Sequence, residues 1–326
     1  MPTPELALPV SHTQGPRRHL RLPALAYPLF GLVLVSLVMS LADGDFLTVA
    51  NLLNIVRQVS INAVIAVGMT YVILSGGIDL SVGSVLALAG TLTAGLLVAG
   101  VSPYLAIGAG LGSGLLLGAL NGVLVAYLGM PSIIVTLATM GIARGLGLLY
   151  TGGYPVDGLP EWFGLLGRGK WLGVPNPVLL MLAVFALAWL LLSRTAFGRH
   201  VYAIGGNEDA TRLSGVRVKR NKLMVYAISG FTAALAGLVL SSRLMSGQPS
   251  AGVSFELDAI AAVVMGGIPI TGGRGSVIGT LIGALTLGVL NNGLNMMGIS
   301  PYLQIVIRGV IILFAIYIGR ERARRA

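Results

Sequence analysis

Apolar runs recur along almost the whole chain, separated by short polar breaks. A helix that crosses a bilayer takes about 20 mostly apolar residues. Nine runs approach or exceed that length: 24–42, 58–74, 83–100, 104–128, 132–150, 177–193, 223–243, 276–297 and 302–318. A tenth, 257–269, is short and contains Gly266-Gly267. Counting it, the pattern predicts an all-α polytopic membrane protein. It would have about ten transmembrane segments, some of them short or broken, and both termini on one side. The longest polar interruption, 194–222, lies between two of the runs.

Charge orients this array. Basic residues gather at three places: Arg17, Arg18 and Arg21 before the first run, seven Lys and Arg in 194–222, and Arg320, Arg322, Arg324 and Arg325 after the last run. Ten crossings put all three on one face, which the positive-inside rule assigns to the cytoplasm. Asp43, Asp45, Asp157, Glu161, Glu256 and Asp258, which are most of the acids, then fall in outer segments. The expected organisation is a disordered basic tail at 1–22, a transmembrane domain at 23–319 with a cytoplasmic loop at 194–222, and a basic tail at 320–326. Ser40-Leu41-Ala42 is a small-x-small sequence, so a cleaved signal peptide is an alternative for the first run. An uncleaved first span agrees better with the charge at both ends.

Composition agrees with the bilayer. Hydrophobic residues are 55% of the chain and charged ones 10%, where a soluble domain carries about 25% charge. The 47 glycines suit helices that approach closely in lipid. The formal charge of +10 is accounted for by membrane-flanking positions, so no nucleic-acid partner is expected. No cysteine is present, which excludes disulfides, thiol catalysis and thiolate metal sites.

Two breaks share a pattern. GGIDLSVGSV at 76–85 and GGIPITGGRGSV at 266–277 both begin with GGI and end with GSV. Gly76, Gly77, Gly266, Gly267 and Pro269 free or stop the backbone there. Paired breaks of this kind point to a translocation path; two ordinary Gly-rich surface turns are the other reading. GALN at 118–121 against GVLN at 288–291 is taken as coincidence, because the two segments run in opposite directions.

Polar residues within spans are few. A charge at the bilayer centre costs about 2.5–3.5 kcal/mol on insertion scales, which makes Arg144 and Arg308 informative. Arg308 suits snorkelling to the interface; Arg144 lies deeper and suits a polar path or an interhelical pair. Amides in spans bridge helices or, because they both donate and accept, meet sugar hydroxyls. The candidate path is Asn62, Ser75, Asp79, Asn121, Arg144, Asn291, Asn292 and Asn295, with Asn291 and Asn295 on one helical face.

Enzyme chemistry is not legible. GLLGRGKW at 164–171 has the glycine and lysine spacing of a phosphate loop but Trp171 where Ser or Thr must bind magnesium. His12, His19 and His200 are scattered, so no metal site or catalytic triad follows. Transport energy must come from a partner or an ion gradient. A stand-alone ion-coupled carrier would want a carboxylate deep in a span, whereas Asp79, Glu256 and Asp258 lie near segment ends. A membrane enzyme would want a nucleophile or metal set that is missing.

Specific motifs extend this reading. LLNIVRQ at 52–58, GMT at 68–70, GGIDLSVGS at 76–84, AIGGNEDATRLSGV at 203–216, FELDAIAAVVMGG at 255–267, GGRGSVIGTLIGA at 272–284 and GVLNNGLNMMG at 288–298 together resemble the permease subunits of ribose-type ABC importers of monosaccharides. The resemblance runs over about 24–318. It implies a permease subunit in the bacterial inner membrane, carrying ribose or a related sugar, working as a homodimer among membrane lipids. Two cytoplasmic ABC ATPase domains would bind the ATP and magnesium, and an extracytoplasmic sugar-binding protein would deliver the cargo; this chain would bind no cofactor. It also implies that 203–216 seats on the ATPase, through Gly206, Asn207, Glu208, Asp209, Ala210, Leu213, Ser214 and Gly215. Asn207 is suited to cap a helix with Glu208 and Asp209 in its first turn, and Leu213 offers an apolar knob. A plain basic surface loop is the blander reading of the same stretch. The chain departs from the family's GGTSLSGG run at Ile268, Pro269 and Ile270, which bears on a gate or a substrate contact.

Overall fold

The computed structural model describes residues 25–307, 309–311 and 313. The expected tails at 1–22 and 320–326, Arg308 and the end of the last apolar run lie outside these residues. Among the described residues six helices are long and apolar enough to cross a membrane. They are α2 (Val49–Leu74), α4 (Pro103–Ala126), α5 (Ser132–Thr151), α7 (Asn176–Arg194), α10 (Val218–Leu244) and α12 (Val277–Met296). Shorter apolar helices accompany them: α1 (Ala26–Ala42), α3 (Val82–Val98) and α11 (Phe255–Met265). The connections hold α6 (Gly164–Arg168), α8 (Ala196–Gly206) and α9 (Glu208–Leu213). Residues 301–307 are helical.

Two helices begin earlier than the apolar runs suggest. α2 starts at Val49, behind Thr48, whose hydroxyl accepts from Asn51 N–H. Its first turns are polar, with Asn51, Asn54, Arg57 and Gln58. They stay helical because other chain segments meet them: Asn51 pairs with Asn292 of α12 in both directions, at 3.0 and 2.9 Å. α10 likewise begins at Val218, before its apolar run.

α10 is the central helix, packed against α2, α3 and α4. Lipid tails are as apolar as leucine, so helices associate by close packing rather than by escape from water. α4 therefore meets α10 through a one-per-turn row of glycines. A Cβ on Gly118 would strike the Tyr226 carbonyl, and one on Gly122 would lie 2.7 Å from Leu223 Cα. Leucines on other faces, such as Leu182, Leu187 and Leu190 of α7, are exposed on the chain itself.

The connections at one end are tied together. Strands β1 (Lys170–Trp171) and β2 (Val174–Pro175) form a two-residue hairpin, and Val156 and Gly247 exchange backbone hydrogen bonds of 2.9 and 2.8 Å. The 164–171 run thus folds as a helix followed by a strand. A phosphate loop needs a strand followed by a loop and a helix.

Candidate functional site

The polar interruption folds into two short helices. Thr195 caps α8, accepting from Gly198 N–H. Asn207 ends α8 and caps α9, its Oδ1 accepting from Ala210 N–H at 2.9 Å. Such a cap is worth about 1 kcal/mol. Glu208 and Asp209 occupy the first turn of α9, where the helix dipole favours negative charge. Glu208 reaches Lys222 of α10 at 2.5 Å and Arg212 at 3.3 Å. Its carboxylate is therefore occupied within the chain and braces α9 against α10. Leu213 projects free, 89% exposed. Glu208 and Arg212 of α9 line a cavity of about 730 Å3, which Ser75 to Gly77, the α4–α5 turn and the start of α10 complete.

α8 ends on the two glycine breaks. Gly273 N–H donates to the Leu74 carbonyl at 3.0 Å, which joins the break after α11 to the end of α2. Gly205 sits on that joint: a Cβ there would strike Leu74 O and lie 2.5 Å from Gly273 N. Backbone lies on both sides, so no side chain is there to yield. Tyr202 donates to the Gly275 carbonyl at 3.0 Å. Burial pushes the Tyr202 phenol above its ordinary value, so it keeps the proton it donates. The two GGI breaks thus meet at the same end of the molecule.

Asp79 lies beyond the first break and is fully buried. Its Oδ1 accepts from Ser81 N–H at 3.0 Å and from Ser81 Oγ at 2.6 Å, and its Oδ2 accepts from Ser229 Oγ of α10 at 2.7 Å. Ser81 Oγ in turn accepts from Asn121 Nδ2 of α4 at 3.0 Å, and Asn121 Oδ1 accepts from Thr139 Oγ1 of α5 at 2.6 Å. One polar chain therefore joins the broken segment to three helices.

The remaining path candidates separate. Asn62 and Asn291 share a groove with Gln58 and Asp258. Asn292 belongs to the pair with Asn51, and Asn295 accepts from Gln304 Nε2 at 2.8 Å. The shared helical face expected of Asn291 and Asn295 does not bring them to one site, because different neighbours cover successive turns of α12. Ser75 caps its own helix, donating to the Val72 carbonyl at 2.9 Å. Arg144 donates to the carbonyls of Pro249 and Ala251, both at 2.6 Å. It therefore straps down the run between α10 and α11, in place of snorkelling.

Asp79 lies between α2 and α3 and Asp258 in the first turn of α11, near segment ends as the sequence suggests. Both are nonetheless buried, at 0% and 5% exposed, because the chain leaves the helix before it leaves the protein. Residues missed by sequence reasoning are Ser81, Ser229, Thr139 and Gln58. Hydroxyls are common in spans, and only their convergence on Asp79 or its partners marks them.

Comparison with known proteins bears on the whole chain. A family model described as the branched-chain amino acid transport system permease component matches residues 51–316. The ribose import permease protein RbsC of Bacillus subtilis (strain 168) is 53% identical over 298 residues, covering 91% of this chain and 92% of that one. RbsC of Escherichia coli (strain K12) is 49% identical, covering 89% and 92%. The L-arabinose transport system permease protein AraH of Escherichia coli (strain K12) is 41% identical, covering 91% and 92%. No solved structure matches.

Proposed function

Because the chain belongs to the family described as the branched-chain amino acid transport system permease component, we propose that its cargo is a monosaccharide, ribose in the first place. The chain is a permease subunit of an ABC importer, a multi-pass protein of the bacterial inner membrane and not itself an enzyme; ATP hydrolysis belongs to a separate subunit. An ATPase and a substrate-binding protein are its partners. The cargo is inferred from the ribose and arabinose permeases to which the chain is similar. Amides and a carboxylate in the α2–α11–α12 groove favour a hydroxylated cargo over the apolar side chain of a branched amino acid.

Ten crossings with both termini cytoplasmic is the topology this reading uses. Its support is alternation: the turns after α2 and α4 and the helix α9 wall one cavity, while Val156 and Gly247 pair with each other. Two copies of the chain form the pathway, with lipid on the exposed leucine faces. ATP and magnesium bind to the partner.

The observation that carries the coupling role is Leu213, exposed at the end of a capped helix whose predecessor is seated on both glycine breaks. ATP binding draws the ATPases together, α8 and α9 move with them, and the breaks follow. Of the eight path candidates, Asn62 and Asn291, which share a groove, are the pair this reading puts on the path. The test is reconstitution of the chain with its ATPase and loaded binding protein in liposomes. Ribose uptake should require ATP and all components. Uptake by the chain alone under an ion gradient would overturn the reading in favour of a secondary carrier, which finds no support among the relatives.

A further inference from the structure

α2, α11 and α12 enclose a groove of about 110 Å3 lined by Gln58, Asn62, Asp258 and Asn291. Asn62 lies near the middle of the 26-residue α2, roughly 20 Å from either end at about 1.5 Å per residue. Gln58, Asn62 and Asn291 are partly exposed on the single chain. Polar side chains at such depth face a protein interior or a watery path, because lipid offers them nothing.

Asn62 turns its Nδ2 to Asp258 Oδ2, 3.4 Å away, the amide donating and the carboxyl oxygen accepting. That orientation leaves Asn62 Oδ1 buried without a hydrogen-bond partner. An unmet buried acceptor is uncommon and asks for an explanation. A rotation of the Asn62 side chain would bring Oδ1 into the groove, where one ligand hydroxyl donates to it while a neighbouring hydroxyl donates to the carboxylate. The amides of Gln58 and Asn291 both donate and accept, as the oxygens of a polyol require.

We propose that this groove is a sugar-hydroxyl subsite on the translocation path, with Asn62 and Asp258 accepting from adjacent hydroxyls of the monosaccharide and Gln58 and Asn291 flanking them. The proposal rests on the permease reading above. The groove admits one edge of a sugar ring or a few ordered waters.

The chain has no cysteine, which makes single cysteines clean reporters. The variants Gln58→Cys and Asn291→Cys are assembled with the ATPase and binding protein in proteoliposomes and treated with a small charged thiosulfonate. Leu190→Cys, on the exposed face of α7, is the lipid-facing comparison. Groove cysteines should react at least tenfold faster than Leu190→Cys, and ribose-loaded binding protein with ATP should slow them severalfold. Cysteines as inert as Leu190→Cys, or reaction indifferent to ribose, overturn the proposal. Asn62→Leu gives an independent measurement: ATP-driven ribose uptake should fall about tenfold, as for loss of one hydrogen bond to the cargo. Unchanged uptake overturns the subsite. Wild-type complex that takes up no ribose defeats the permease reading itself and the subsite with it.

Discussion

Asp79→Ala removes the acceptor on which three donors converge, Ser81 N–H, Ser81 Oγ and Ser229 Oγ. A hydrogen bond to a charged group contributes about 1.5–3 kcal/mol net. The raw total overstates the loss, because a buried carboxylate carries its own desolvation penalty of several kcal/mol, which alanine relieves. The expected net destabilisation is about 2–4 kcal/mol, for donors left unpaired and a small cavity. Asp79→Asn keeps the shape and one acceptor oxygen. Its amide can turn NH2 toward Ser229, whose hydroxyl rotates to accept. That exchange should cost only about 1–2 kcal/mol. At roughly 2–4 °C per kcal/mol, thermal melts of the purified chain in one detergent should place alanine roughly 5–15 °C below wild type. Asparagine should fall between them. Alanine melting with or above asparagine would refute the idea that these donors depend on Asp79. Uptake should follow the same order, since the network holds the broken segment to α10.

Leu213→Arg should abolish most ATP-driven uptake while the chain still folds, because this side chain makes little contact within it; normal uptake would remove α9 from the docking surface. Glu208→Arg is expected to do the same and also to lower the melting temperature, since it breaks the links to Lys222 and Arg212. Gly205→Val should loosen α8 from Leu74 and Gly273, at an overpacking cost of about 1–3 kcal/mol, and reduce sugar carried per ATP hydrolysed; an unchanged ratio would contradict the coupling route. Arg144→Gln should free the run around Pro249 and Ala251, read as faster amide hydrogen exchange at 247–254.

Much of the candidate docking element was legible locally. Asn207, Glu208 and Asp209 form a cap-and-first-turn signature whose physics lies within four residues, and the helix begins at Glu208 as that signature predicts. The occupation of Glu208 was not legible, because Lys222 is 14 positions away. Glu208 consequently reads as a brace, and Leu213 as the cleaner probe of docking. The breaks at 76–77 and 266–267 were visible as glycine pairs. Their contact through Gly205 and Gly273 was not, since backbone–backbone approach leaves no side-chain pattern to read.

The sequence by itself determined the membrane class, the helical architecture, most of the segment boundaries and the family. Those follow from hydropathy and short motifs, which act over one or two turns of chain. The tertiary structure decided which polar residues share a site. It placed Asp79 with Asn121 and Ser229, joined Asn62 to Asn291 and Asp258, and sent Asn292 and Asn295 elsewhere. The physical reason is that a buried polar group takes its partners from whichever helix packs against it. For Asp79, Asn121 and Ser229 the close packing of α4 on α10, set by glycines, makes that choice.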